Sequence, residues 1–162
     1  MIGELAKKLT AFEEFADFVI IEIIFRRGKF SSGAEIVKNF SSRVILRAAS
    51  SDAEVFVKMI RPRSDLKFPD KKSPAENFWR TFSTEEILNF VAAVGDKNKI
   101  HPPIVPAFLI LEKICAEFSA CKELKLRFKN FITTGEPLTL KIFDKRFEIT
   151  CADDKKVLGE MS

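Results

Sequence analysis

Residues 107–118 read Ala-Phe-Leu-Ile-Leu-Glu-Lys-Ile-Cys-Ala-Glu-Phe, a helical stretch whose apolar positions are too many for one stripe. Phe108, Leu111, Cys115 and Phe118 make one face, Ile110 and Ile114 widen it, and Glu112, Lys113 and Glu117 are left on a narrow polar strip. A helix apolar over so much of its circumference must be wrapped by other elements. The rest of the chain supplies them. Runs rich in β-branched residues predict strands at 18–25, 34–40, 43–49 and 54–60, and again at 122–131, 137–143, 146–152 and 156–161. Turns this short join antiparallel neighbours. A further amphipathic helix is predicted over 2–16, with Ile2, Leu5, Leu9, Phe12 and Ala16 on one stripe. The expectation is an α+β fold in which antiparallel sheet wraps a buried helix.

The two strand sets resemble each other. Phe25-Arg26-Arg27 answers to Phe128-Lys129-Asn130, Ser31-Ser32-Gly33 to Thr133-Thr134-Gly135, Arg43 to Arg146 and Met59 to Met161. The corresponding separations are 103, 102, 103 and 102 residues, and a near-constant offset suggests a duplicated unit of helix plus meander. Any two antiparallel meanders share turn glycines and β-branched strands, and that is the simpler explanation. Between the halves, 61–77 carries Pro62, Pro69 and Pro74 among charged residues and reads as a connection. The expected organisation is a reduced half at 1–60, a connection at 61–77 and a second half at 78–162. A tandem pair would form an intramolecular pseudo-dimer, with homodimerisation as the alternative.

Composition excludes several classes. With 46% apolar and 31% charged residues the chain is an ordinary folded one rather than a disordered one. There are 17 Phe but no Tyr, so no tyrosine can be catalytic. Net charge is +4, yet the 27 basic residues are interspersed with 23 acidic ones. No basic stripe for nucleic acid results, although the excess suits an anionic small ligand. Cys115, Cys121 and Cys151, with a single histidine to help them, lack zinc spacing and read as buried reduced thiols. The longest apolar run, 18–25, is broken by Glu22 and falls short of the roughly 20 residues a bilayer demands. The N-terminus lacks a signal-peptide core. A cytoplasmic location without membrane partner is expected. No Gly-rich phosphate loop, Gly-x-Ser-x-Gly elbow or metal-ligand cluster is present, so neither metal nor cofactor is expected.

Chemistry concentrates just before the buried helix. Ser83 as N-cap with Glu86 three residues on makes a capping box, and Phe82 and Ile87 stand where a hydrophobic staple closes. Ile87, Phe90, Val91 and Val94 follow at helical spacing, and Gly95 takes the left-handed C-cap position. Asp96 is thus delivered just past a helix end. His101, the only histidine, stands five residues later, before Pro102-Pro103. A carboxylate and an imidazole on one interhelical loop can converge on one water. Each also has a plainer explanation, Asp96 and Asn98 as turn residues and His101 as a solvated loop residue.

From Phe82-Ser-Thr-Glu-Glu-Ile87 through Gly95-Asp-Lys-Asn-Lys-Ile-His101, the chain resembles the hydratase motif of MaoC-like (R)-specific enoyl-CoA hydratases. There a Gly-Asp-x-Asn-Pro-Ile-His run carries the catalytic Asp and His. Pro103-Ile104-Val105-Pro106-Ala107-Phe108-Leu109 resembles the segment opening the central helix of that family's hotdog fold. Phe25-Arg-Arg-x-x-x-Ser-Ser-Gly33 is similar to the strand and turn that follow this helix in hotdog dehydratases. Lys99 stands where Pro is usual and Ala107 where Gly is usual, and a segment that helps wall the family's acyl pocket is missing after His101.

The resemblance implies a hotdog fold, in compact tandem form, acting on an acyl-CoA or acyl carrier protein thioester. Asp96 and His101 would be the catalytic pair, and Asn98, Ala107 and Phe108 would contact the substrate. Hydration across a thioester-conjugated double bond needs a base for water, an acid for the α-carbon and donors for the enolate oxygen. The N-terminus of the helix near Ala107 suits the last task, with the Ala107 N–H as donor by resemblance. Pro103 to Glu112 also matches the Pro-x-x-Pro-x-x-Leu-x-x-Glu spacing of FabZ-like dehydratases, whose helix glutamate is catalytic. Here Glu112 lies on the polar strip and the accompanying His-x-x-Gly-x-Pro run is absent. A thioesterase and a non-catalytic binding protein are the alternatives on the same scaffold.

Overall fold

The computed structural model describes residues 1–62 and 77–162. Three helices, α1 (Ile2–Thr10), α2 (Thr84–Val94) and α3 (Ala107–Glu117), accompany nine strands. The strands are β1 (Val19–Arg27), β2 (Gly33–Phe40), β3 (Arg43–Ala49), β4 (Ala53–Ile60), β5 (Phe78–Arg80), β6 (Glu123–Phe128), β7 (Leu138–Phe143), β8 (Arg146–Cys151) and β9 (Asp154–Met161). They form one antiparallel sheet in the order β2-β3-β4-β1-β6-β9-β8-β7-β5. Apart from the short β5 the order is the same read outward from the β1–β6 junction in either direction. The β2–β3 hairpin turns between Phe40 and Arg43, and the β7–β8 hairpin between Phe143 and Arg146, which is the 103-residue separation again.

Helix α3 is enclosed as its composition demands. Phe108, Leu109, Ile110, Leu111, Ile114 and Cys115 are all buried, so four consecutive positions face packed surroundings. They share one core with Leu5 and Leu9 of α1 and with Ile23, Phe25, Leu124 and Leu126 of the central strands. At roughly 1.5–3 kcal/mol for each large apolar side chain buried, this core dominates the favourable side of folding. Arg27 of β1 closes the far end of α3. Its guanidinium donates to the carbonyls of Cys115 (3.3 Å), Phe118 (3.4 Å), Ser119 and Cys121 (3.1 Å), supplying a cation where the helix dipole is negative.

The first helix is shorter than its periodicity suggests. It stops at Thr10, whose single hydroxyl hydrogen is within reach of two carbonyls, Val94 O (2.7 Å) across the fold and Lys7 O (2.9 Å) in its own turn. A separate 3-10 turn, Glu13–Phe15, follows after Phe12 leaves helical geometry. The apolar spacing could not reveal this break, because three-residue spacing between Phe12 and Phe15 fits either helix type. Helix α2 has its expected Ser83 cap, with Ser83 Oγ accepting from Glu86 N at 3.1 Å, and Phe82 and Ile87 are fully buried. The reciprocal arm of the capping box is spent elsewhere. Glu86 takes Arg80 (2.8 Å) and Lys113 (3.3 Å) instead. Strand β5 was not expected, because three residues are too few for a periodic signal. The predicted connection at 61–77 lies, apart from its ends, outside the described residues. Among the described residues no helix is long and apolar enough to cross a membrane.

Two predictions follow from this packing. The ring of Phe147, 1% exposed, lies directly over its register partner Gly159, where a Cβ would sit 2.0 Å from the ring. Gly159→Ala should therefore cost about 2–3 kcal/mol in denaturant unfolding, since a wholly buried ring has nowhere to retreat. Burial pushes the Cys115 thiol up to about 11, against the nearby Arg27 charge. At pH 8 its thiolate fraction is then about one in a thousand. Iodoacetamide followed by mass spectrometry should label the half-buried Cys121 first and Cys115 only after unfolding.

Candidate active site

The loop from Gly95 to Pro106 is set by its two flanking helices. Gly95 adopts φ +71, and the Asp96 N–H reaches back to Val91 O at 3.0 Å, so the helix ends in the tight left-handed turn that glycine permits. Asp96 then folds over its own chain, with Oδ1 accepting from Asn98 N at 2.8 Å. That fixes the carboxylate and leaves Oδ2 facing His101 Nε2 across 3.5 Å. The His101 side chain is only 7% exposed and that of Asp96 21%, which places the pair in a recess rather than in bulk solvent.

The other ring nitrogen settles the proton's position. His101 Nδ1 lies 2.5 Å from the Ile104 carbonyl oxygen, a group that can only accept. Nδ1 must therefore carry hydrogen, and in the neutral ring Nε2 presents its lone pair. Asp96 Oδ2, as carboxylate, is likewise an acceptor. Two acceptors at this separation do not bond to each other, but both can accept from a single water seated beside the pair.

The remaining expected residues divide. Asn98 lines the same cavity, but its amide is engaged with backbone: Nδ2 donates to Phe18 O at 3.0 Å and Oδ1 accepts from Ile100 N at 3.3 Å. It ties the loop to the first half of the chain. Lys97 adds an exposed ion pair to Glu13. Ala107 and Phe108 stand in the first turn of α3 and also line the cavity. The Pro106 carbonyl accepts from Leu109 N (3.0 Å) and Ile110 N (3.2 Å), so the N–H groups of Ala107 and Phe108 have no intrahelical acceptor. Glu112 does not line this cavity. It is 43% exposed, pairs with Lys113 at 3.0 Å and borders a shallow surface groove with Ser83 and Glu85.

The cavity measures about 630 Å³. Its walls come from both halves, Phe12, Phe15 and Phe18 from the first and Phe90, Ile104 and Phe108 from the second. In the sequence Phe12 belongs to the helix stripe and Phe18 to the first strand, Phe15 to neither, and nothing in their spacing signals a cavity. Mostly apolar walls, with the Asp96 carboxylate, the His101 imidazole and the N-terminus of α3 at one place and Lys129, Asp154 and Lys156 at another, suit an acyl chain whose reactive end meets water. Among the described residues no three His, Cys, Asp or Glu side chains gather as metal ligands.

No protein-family model matches the chain, and no curated protein matches it in sequence. Solved structures do match in fold. HtdX from Mycobacterium tuberculosis superposes with a TM-score of 0.66 at 13% identity, over 98% of this chain and 83% of that one. A MaoC-like dehydratase from Phytophthora capsici gives 0.55 at 11% identity, over 91% and 69%. An acyl-ACP thioesterase from Bacteroides thetaiotaomicron gives 0.54 at 8% identity, over 98% and 81%. The fold is the hotdog fold, with one nine-stranded antiparallel sheet around helices among the described residues.

Since Asn98 anchors the loop through two backbone bonds, Asn98→Ala should lower stability by about 1–2 kcal/mol in denaturant unfolding. It should also raise amide exchange locally at Ile100 and His101, whose positions depend on the same turn.

Proposed function

We propose that this protein hydrates enoyl thioesters, and dehydrates the corresponding 3-hydroxyacyl thioesters, with Asp96 and His101 as the catalytic pair. The observation that carries the reading is the 3.5 Å approach of Asp96 Oδ2 to His101 Nε2, with Nδ1 committed to the Ile104 carbonyl. A water beside the pair donates one hydrogen to Oδ2 and the other to Nε2. As its oxygen bonds to the β-carbon of the enoyl group, the proton passes to Nε2 and the double-bond electrons move toward the thioester oxygen. The N–H of Ala107, at the positive end of α3, stabilises that enolate oxygen. Nε2–H then protonates the α-carbon and the ring returns to its starting form. One water is consumed and the catalyst is unchanged. The substrate is an acyl thioester of coenzyme A or acyl carrier protein, the class to which the resemblance points.

The segment missing after His101 does not leave the pocket open on that side in this reading, because Phe12, Phe15 and Phe18 wall it from the first half. Glu112, exposed and outside the cavity, has no part in the chemistry. Hydrolysis is the second reading, favoured by the fold match to an acyl-ACP thioesterase. The same water would attack the thioester carbonyl instead of the β-carbon.

Crotonyl-CoA and a longer enoyl-CoA separate the readings. Hydration removes the conjugated absorbance without releasing thiol, hydrolysis releases thiol, and a binding protein does neither. Asp96→Asn keeps an oxygen for the Asn98 N–H and should stay folded, yet lose about 10²- to 10⁴-fold in rate. His101→Ala should lose as much, and the double variant little more, because the two groups act on one water. Glu112→Gln should be nearly silent. Turnover surviving both the Asp96 and His101 changes would sink the assignment.

A further inference from the structure

Below the His101 loop lies a buried ionic cluster that the mechanism above does not use. Lys156 is 0% exposed and Glu136 2% exposed. The Lys156 ammonium donates to Phe131 O at 2.9 Å and sits 2.9 Å from Glu136 Oε1 and 3.0 Å from Asp154 Oδ2. The Glu136 contact is off the line of a hydrogen bond and is Coulombic in character. Burial works against the charge, but the two carboxylates of Glu136 and Asp154 at close range outweigh it and hold Lys156 above the ordinary lysine range. An ammonium is buried at such cost only where its partners compensate in full.

Lys156 faces inward because of a break in the strand pairing. On β8, Ile149 pairs with Val157 and the next residue, Thr150, pairs with Lys155, so Lys156 is the extra residue of a bulge. Bulges re-aim side chains, and this one turns a lysine into the interior where strict alternation would place it outside.

The cluster's bonds lead to the candidate active site in a continuous chain. Lys156 holds Phe131 O, and Glu136 Oε2 accepts from Thr133 N at 2.7 Å, so the two residues pin the strip from Phe131 to Thr133. That strip pins the next one. Val105 N donates to Ile132 O (2.9 Å), Thr134 N to Pro103 O (2.8 Å), and Thr133 bridges Ile104. Ile104 supplies the carbonyl that takes the His101 Nδ1–H.

We propose that the buried Lys156–Glu136 pair is a positioning device for His101: by fixing the Ile104 carbonyl, it selects the ring tautomer that leaves Nε2 free to accept from water. Glu136 lies outside the cavity, and Lys156, which borders it, has its ammonium taken up by Phe131 O, Glu136 and Asp154. The catalytic use of the tautomer rests on the hydratase reading, whereas the placement of the proton does not.

His101 is the only histidine in the chain, so a histidine-selective ¹⁵N label in the full-length protein reports one ring alone. The unaltered protein should show the Nδ1–H form when neutral. Lys156→Met with Glu136→Leu replaces the pair by apolar side chains of similar size, and Glu136→Ala alone leaves Lys156 two of its oxygens. Both should show a mixture of tautomers. In Glu136→Ala, which leaves the cavity lining intact, enoyl-CoA turnover should fall by about 10- to 100-fold with KM little changed, as expected when a catalytic group is misplaced rather than removed. Lys155→Met, which removes a neighbouring exposed lysine paired with Glu148, should alter neither reading. A ring protonated on Nε2 in the unaltered protein, or one still Nδ1–H in both variants, overturns the proposal. Tautomer mixing in a protein that never turns over a thioester supports the positioning and removes the hydratase reading alone.

Discussion

The pairing of β1 with β6 is the contact on which the rest of the molecule depends. Each half holds a meander of four antiparallel strands, to which the second adds the short β5, and each alone would leave β1 or β6 with an unpaired edge. The two halves satisfy one another there. Five residue pairs are in register, from Glu22 opposite Arg127 to Arg26 opposite Glu123. Between these charged ends, Ile23 faces Leu126 and Phe25 faces Leu124, and all four are wholly buried beneath the helices. The ion pairs, 3.3 Å at one end and 2.6 Å at the other, are exposed enough to add little energy. Their effect is on register. A two-residue slip in one sense would set Arg26 against Lys125, and a one-residue slip would turn every apolar side chain away from the core.

This junction also explains a division of labour. The second half carries the carboxylate, the imidazole and the start of α3. The first half contributes aromatic wall and three tethers to the loop: Thr10 to Val94, Asn98 to Phe18, and Glu13 to Lys97. The break at Thr10 belongs to this arrangement, because a continuous helix through residue 16 would not place Phe12 and Phe15 on either side of a 3-10 turn beside the cavity.

What the sequence discloses follows the physics of each signal. The wrapped helix, the strand runs, the Ser83 cap and the Gly95 turn are encoded within a few residues of where they act, and are legible. The Asp96 and His101 motif is legible for the same reason, since five residues on one loop hold it. The cavity wall is not, because Phe12, Phe15 and Phe18 meet Phe90 and Phe108 only through tertiary packing. Lys156 is hidden more deeply. Its neighbours Asp154 and Lys155 make it look like one more solvated charge, and only the one-residue bulge turns it inward. The tautomer of His101 is set by a carbonyl three residues away, whose own place depends on a strip some thirty residues further along.

The central position of β1 has a consequence for how the chain is made. Its partner β6 is separated from it by about a hundred residues, 105 between Glu22 and Arg127. At synthesis rates of about 5–20 residues per second, that interval lasts roughly 5–20 s. Throughout it, a nascent first half carries Ile23 and Phe25 on a strand with one edge unpaired, and for most of it there is no α3 to cover them. The middle of the finished sheet thus waits for a partner made about a hundred residues later.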